Sequence, residues 1–535
     1  MPFQAVKPHQ RRRNQWSIRN RWRGVIDNSE FGPSGIDAPS PWTLEDDELM
    51  DALAYDLRLN RVMKRPSQVG TSFVTWSTES NIGSLFRGVG ASYDKLLLVK
   101  AYTNSGRVAH LSAGDWADLV TVAPNAATGP IQPANGLGKT LMGFGGTSVL
   151  HEYDGTTLAP VVASVGGSLP ATGITALVFF RLSNRFLGIT GQNDTLLFSA
   201  NGDRGSWGVN DTVPGGFEFI GNDRHSLITL GEGPGDMTTL FKNDYVYVIE
   251  KTDPLDWNIR KKASDRGALG VHAWCIGPDG TVFFAHESGI WAMGADGGIL
   301  QTPLTANIQL AWLNLITAYP AGLKNVAIEY HRRNEELYVF VPTGDSEMPR
   351  RLWRCYLPDL SWMPEEEITS GHIYYSCPTW ARDATTDVGH VYYADQNLID
   401  GAVRVWQLNA TGARGGAFLQ TKPLGDQNVT REFGVAAEAP AQSQQILATL
   451  KARGSYNARV TPIIWDDDGA VVVGDVQNLD LSGVAGRGKL FEIQVPNDTG
   501  QGLSLTFANG AQDEIFDVES ITIPHTDRTF GPRRG

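Results

Sequence analysis

Cysteine is scarce in this sequence: Cys275, Cys355 and Cys377 are the only three in 535 residues. An odd number of widely separated thiols excludes a disulfide framework, and without CxxC or Cys/His spacing they define no metal centre. A reducing compartment during assembly is the expectation. Histidine is sparse too, ten residues in all, scattered along the chain. Long apolar runs are missing. No stretch is long enough to span a bilayer, and charge interrupts Trp16 to Val25, so no signal-peptide hydrophobic region follows the basic start. The sequence therefore reads as soluble, with no membrane anchoring. Catalytic signatures are lacking as well: no GxSxG occurs, and no Ser–His–Asp order stands out. No catalytic residue, metal ligand or cofactor is assigned.

Glycine (59), proline (28) and aromatics are plentiful, with 15 Trp, 21 Phe and 15 Tyr, and apolar residues make up 41%. Such a chain can bury packed interiors and is rich in turns, which favours β architecture. Its length fits two to four domains or one large all-β ring. Residues 181–207, RLSNRFLGITGQNDTLLFSANGDRGSW, form the pattern unit: apolar run, turn-rich GQND, apolar run, tryptophan. Similar units recur as GVGASYDKLLLVKAY, KTLMGFGGTSVLHEYDGTTLAPVV, MTTLFKNDYVYVIEK, AWCIGPDGTVFFAHESGIWAM, NVAIEYHRRNEELYVFV and HVYYADQNLIDGAVRVWQL. Trp116, Trp207, Trp257, Trp291, Trp362 and Trp406 stand near their ends. Several of their spacings fit one or two steps of about 35–50 residues, the period of a propeller blade. The expected fold is an all-β propeller of six to eight blades over residues 70–415, with these tryptophans as anchors.

Residues 1–69 read differently. Lys7, Arg11, Arg12, Arg13, Arg19, Arg21 and Arg23 occur with no acid before residue 25, whereas residues 25–51 hold eight acids and no Lys or Arg. With a net charge of −13 for the whole chain, the body behind this arm is strongly acidic. The arm, interleaved with Trp16 and Trp22, reads as a docking element for an acidic protein, as a contact for DNA phosphates, or as a solvated tail. TLEDDELMDALAYDL reads as a short helix over 43–57, with Thr43 as cap and acids in its first turn. Residues 416–535 read as a small separate β domain ending in a free tail from 526.

Three motifs invite sharper readings and fail them. GLGKT at 136–140 ends like a phosphate loop, but Pro133 occupies the position of its first glycine and a strand follows. The consecutive acids of WDDDG (465–469) suit a hairpin turn better than a calcium loop, and His151 and Glu152 suit a hairpin better than a metal site. SANGDRGSW (199–207) partly matches the Asp-box turn of sialidase-type propellers, which is structural.

Taken in order, GPSGIDAP, LEDDELMDALAYDLRLNRVMKRP, FFRLSNRFLGITGQNDTLLFSANGDRGSW, GDMTTLFKNDYVYVIEK, GVHAWCIGPDGTVFFAHESGIWAMG, NEELYVFVP and LWRCYLPDLSW resemble the β-propeller proteins of short-tailed phage tails, called nozzle, hub or packaged-DNA stabilisation proteins. The resemblance spans about residues 30–410 and rests on strand order and turn pattern. It implies a non-enzymatic structural virion protein of the tail, assembled in the host cytoplasm. It further implies a homo-oligomeric, hexameric ring below the portal and adaptor proteins, touching tail fibre or needle proteins. Such a ring lines the channel through which double-stranded DNA leaves and retains the packaged genome. The alternative is a propeller enzyme or lectin acting on host surface glycans, with Trp257, Trp291 and Asp203 recruited to a cleft.

Overall fold

A strand with one face to water alternates apolar and polar residues; Leu96–Leu97–Leu98–Val99 does not, because both of its faces are covered. The protein is described by a computed structural model, almost continuously over residues 130–342 and in separate segments between 14 and 122 and between 349 and 527. Leu96 and Leu98 pack with Ala381, Tyr392, Ala394 and Val405. Leu97 and Val99, pointing the other way, pack with Ile131, Met142, Phe144, Tyr153 and Leu158. Each such side chain contributes about 1.5–3 kcal/mol by leaving water.

The chain divides into two compact units, one of Gln68–Pro358 with Glu365–Ala410, the other of Met1–Ser67, Asp359–Pro364 and Thr411–Gly535. Within the first, antiparallel sheets follow one another along the chain. The first sheet comprises Ile82–Val89, Asp94–Ala101, Gly106–Ser112 and Asp115–Val122. Later sheets begin with Ala134–Gly136, Ala176–Phe180, Thr229–Glu232, Trp274–Ile276, Ala327–His331 and Tyr375–Arg382. The repeat is therefore roughly fifty residues. First strands of successive sheets lie side by side, and the strand beginning at Tyr375 lies against the one beginning at Ile82, which closes the circuit. The last sheet, completed by Gly389–Gln396 and Ala402–Gln407, takes its fourth strand from the start of the unit: Val69–Thr75 pairs antiparallel with Ala402–Gln407. The fold is a β-propeller. Closure by a strand from the far end of the unit leaves no open seam between first and last sheets.

Turn chemistry sets the hairpins. Gly136 pairs with Lys139 across a two-residue turn in which Leu137 (φ 49°) and Gly138 (φ 73°) are both left-handed, as a primed turn requires. GLGKT is thus a hairpin. Asp279 (φ 54°) and Gly280 (φ 76°) do the same work in GPDG, between Trp274–Ile276 and Val282–His286. Gln309–Ala318 is the only α-helix among the described residues. It lies in a segment where no helix was expected, and buries Trp312. No helix among them is long and apolar enough to cross a membrane.

The other unit corrects two expectations. The helix expected over 43–57 is instead two strands, Glu48–Leu53 and Tyr55–Arg58. The first pairs with Ala417–Thr421 and the second with Arg61–Lys64. Ladder pairing, with a distant strand for the first and a neighbouring one for the second, outweighs a helical propensity worth only tenths of a kcal/mol per residue; Thr43 lies outside the described residues. The N-terminal and C-terminal segments, read as separate pieces, also share one unit. Asn14–Arg19 runs antiparallel to Phe516–Asp527, with Trp16 opposite Ile523 and Arg19 opposite Ser520. That strand includes Thr526 and Asp527, where the free tail was expected to begin. Arg11, Arg12, Arg13, Arg21, Arg23 and Trp22 lie outside the described residues.

Candidate functional site

The expected anchors occupy separate places in the fold. Trp207 is buried between the second and third sheets with Leu141, Leu177 and Phe186, and its Nε1 donates to the Arg204 carbonyl (2.8 Å). Trp257 packs between the third and fourth sheets, edge-on to Phe198. Trp116 lies against the layer between the first and last sheets. Trp291 is buried beneath the Arg266 guanidinium, 3.8 Å from the ring centroid. Trp406 pairs with Tyr393 in the last sheet. Trp362 is buried, but residues Asp359–Pro364 belong to the other unit. Asp203 accepts from Gly205 N (2.8 Å) and Ser164 Oγ (2.7 Å), a turn contact. Trp257, Trp291 and Asp203 thus make separate structural contacts.

The polar groups that do converge lie on the innermost strands. Gln132, in the IQPANG segment ahead of the second sheet, forms a parallel bridge with Ala176 of the third. Its Nε2 donates to the carbonyls of Leu177 (2.9 Å) and Leu230 (2.6 Å). Its Oε1 accepts from Thr229 Oγ1 (2.7 Å) and Trp274 Nε1 (3.2 Å). One side chain therefore ties the second, third, fourth and fifth sheets. On the first sheet, the buried Ser84 receives Ile131 N (3.0 Å), donates to the Ile131 carbonyl, and lies 3.2 Å from His272 Nε2. The His272 carbonyl accepts from Ile328 N (2.9 Å), which brings in the sixth sheet.

Beside this network is a cavity of about 300 Å³ lined from five sheets, with His272, Cys275, Glu329, Trp380, Arg87 and Arg332 among its walls. Burial depresses His272 to about 4, so the imidazole is neutral at pH 7. Burial raises Glu329 to about 7, against backbone hydrogen bonds from Tyr330 and Trp380 and the charge of Arg332 that favour its anion. Burial, then the nearby Glu329, holds the Cys275 thiol well above its ordinary range.

These states limit the chemistry. Ser84 and His272 look like two members of a nucleophilic triad, but the Ser84 hydroxyl is already spent on Ile131. Among the described residues no carboxylate hydrogen-bonds to His272. Cys275 is a thiol rather than a thiolate, hence a poor nucleophile. Among the described residues no group of three or more His, Cys, Asp or Glu side chains is placed to hold a metal ion. Sequence reasoning missed Gln132, His272 and Glu329, because their partners are remote in the chain; the lone signal was a glutamine next to a Pro-Ala-Asn-Gly turn.

No protein-family model matches the sequence, and no curated protein does. Among solved structures the chain is similar to a streptogramin B lyase, at 12% identity and TM-score 0.43, over 64% of this chain and 98% of that one. It is also similar to virginiamycin B lyase from Staphylococcus aureus (10%, TM-score 0.43, 65% and 99%). A third is the WD40 domain of Toxoplasma gondii coronin (12%, TM-score 0.38, 67% and 89%). Likenesses this weak carry no functional argument; the propeller assignment rests on sheet order and closure.

Proposed function

We propose that this chain is a structural component of a short-tailed phage tail. In this reading it forms a homo-oligomeric ring, hexameric, below the portal and adaptor proteins, lines the DNA exit channel and retains the packaged genome. The observation that carries the reading is the fixed axis: a single glutamine joins four sheets through neutral hydrogen bonds, and a strand from the start of the unit closes the circuit. Such a block holds its shape under load and keeps its edges protected, as a ring wall requires. Three of the segments that carry the resemblance support it, since they lie in the consecutive third, fourth and fifth sheets. The acidic balance of the chain, −13, favours passage of DNA without adhesion.

The test is genetic and physical. Particles assembled in cells lacking this chain should fill with DNA and then lose it, and supplying the chain in trans should restore filled particles. Particles that retain and deliver their DNA normally without it would overturn the proposal.

A further inference from the structure

We infer that the axial cavity is a binding site for a small molecule bearing an oxyanion, a carboxylate or a phosphate, held at its mouth by Arg332 and Arg87 beside Trp380. The size class follows from the volume. A space of about 300 Å³ holds about ten waters at ~30 Å³ each, enough for a metabolite-sized ligand and too little for a polymer segment. The charge follows from the walls. The lining contains two guanidinium groups and one carboxyl group, Glu329, together with a neutral imidazole and a neutral thiol. Arg87 is paired with Asp94, so the positive charge open to a ligand is that of Arg332, which favours an anion beside it.

Geometry distinguishes the two cations. Arg87 lies 5.1 Å from the Trp380 ring and is already engaged by Asp94, Nε to Oδ1 at 2.7 Å. Arg332 lies 4.8 Å from the same ring, is exposed, and has no carboxylate within salt-bridge distance among the described residues. Stacking on an indole restrains a guanidinium and leaves its N–H fork free for an oxyanion. Trp274, Ile276, Ile328 and Pro378 supply apolar wall for the rest of the ligand. Few polar groups converging in a mostly preformed pocket is the usual composition of a small-molecule site.

Isothermal titration of the purified full-length chain with inorganic phosphate and, separately, with succinate tests this, with glycerol as the neutral control. The expected result is saturable binding of at least one anion at one site per chain. R332Q should weaken it about tenfold or more, the loss expected for a charge-assisted hydrogen bond, while leaving the unliganded melting temperature unchanged. Binding of phosphate alone or of succinate alone supports the site and tells which oxyanion it takes. Absence of saturable binding by both, binding equally strong in R332Q, or equal binding of glycerol would each overturn it. The proposal stands apart from the tail role, since a chain that binds no anion can still build a ring.

Discussion

The axis and the outer turns of the propeller are both held by polar side chains, but in opposite charge states. At the periphery the holding groups are carboxylates. Asp154 accepts from Thr157 N (2.8 Å) and Thr156 N (2.9 Å), and these bonds keep it well below the usual carboxylate range. Burial pushes Asp211 up, yet bonds from Ser168, Ser206 and Gly208 outweigh it and bring it to about 2. Asp223 behaves alike at about 2: its burial is outweighed by the fully buried Lys242 and by Tyr247. At the axis the holding groups are Gln132, Thr229, Trp274, Ser84 and a neutral His272. In the turns a carboxylate is held by several donors at once, and the buried Lys242 is compensated by Asp223 and the Ile220 carbonyl; where strands from several sheets converge, neutral hydrogen bonds avoid desolvating an ion.

The largest effect should come from the one fully buried cation of this group. Lys242 donates to the Ile220 carbonyl (2.6 Å) and pairs with Asp223. K242A strands that carboxylate and should destabilise the unit by about 3–5 kcal/mol, read by denaturant melts. Q132L comes next. It leaves the Leu177 and Leu230 carbonyls without their donor and should cost about 1–3 kcal/mol. A Q132L chain as stable as the parent would erase the contrast between axis and periphery.

The pH profile sharpens the comparison. His272, at about 4 when folded against 6.5 ordinarily, makes stability rise with pH across that interval. Glu329, at about 7 against 4.5, makes stability fall as pH rises between those values. The two oppose each other between about pH 4.5 and 6.5, so the parent profile should be flat there. E329Q should uncover the rise and H272Q the fall, each at most about 1.4 kcal/mol per pH unit. Below about pH 4 the turn carboxylates take over, and stability falls as they protonate. D211N should have the smallest effect of these: it removes a stabilisation present above about pH 4 and lost as the carboxyl protonates, so the variant's acid limb in a thermal melt series should be shallower than the parent's.

How much of this was legible in the sequence follows the same division. The hairpins and their turns could be read where their signals are local: GQND, Pro278-Asp279-Gly280 and the apolar run at 96–99 lie within a few residues of what they specify. Trp207 was legible as an anchor for the same reason, its indole bonding three residues back. The axis was not legible, because Gln132 meets groups 45 to 142 residues away and a lone glutamine carries no period. Residues 43–57 misled in the other direction. Their acids and leucines satisfy local helix rules, but Leu53 pairs with Phe418, far along the chain, and Tyr55–Arg58 pairs with Arg61–Lys64, so the stretch is strand. The same long-range pairing changes the view of the basic arm. Deleting residues 1–24 removes a strand of the terminal unit along with the arginines.

The measurement that tests the central claim most directly is the number of copies of this chain in purified particles, by quantitative mass spectrometry against the major capsid protein. A closed ring on the tail axis predicts about six or twelve. Hundreds of copies, or none, would contradict the account.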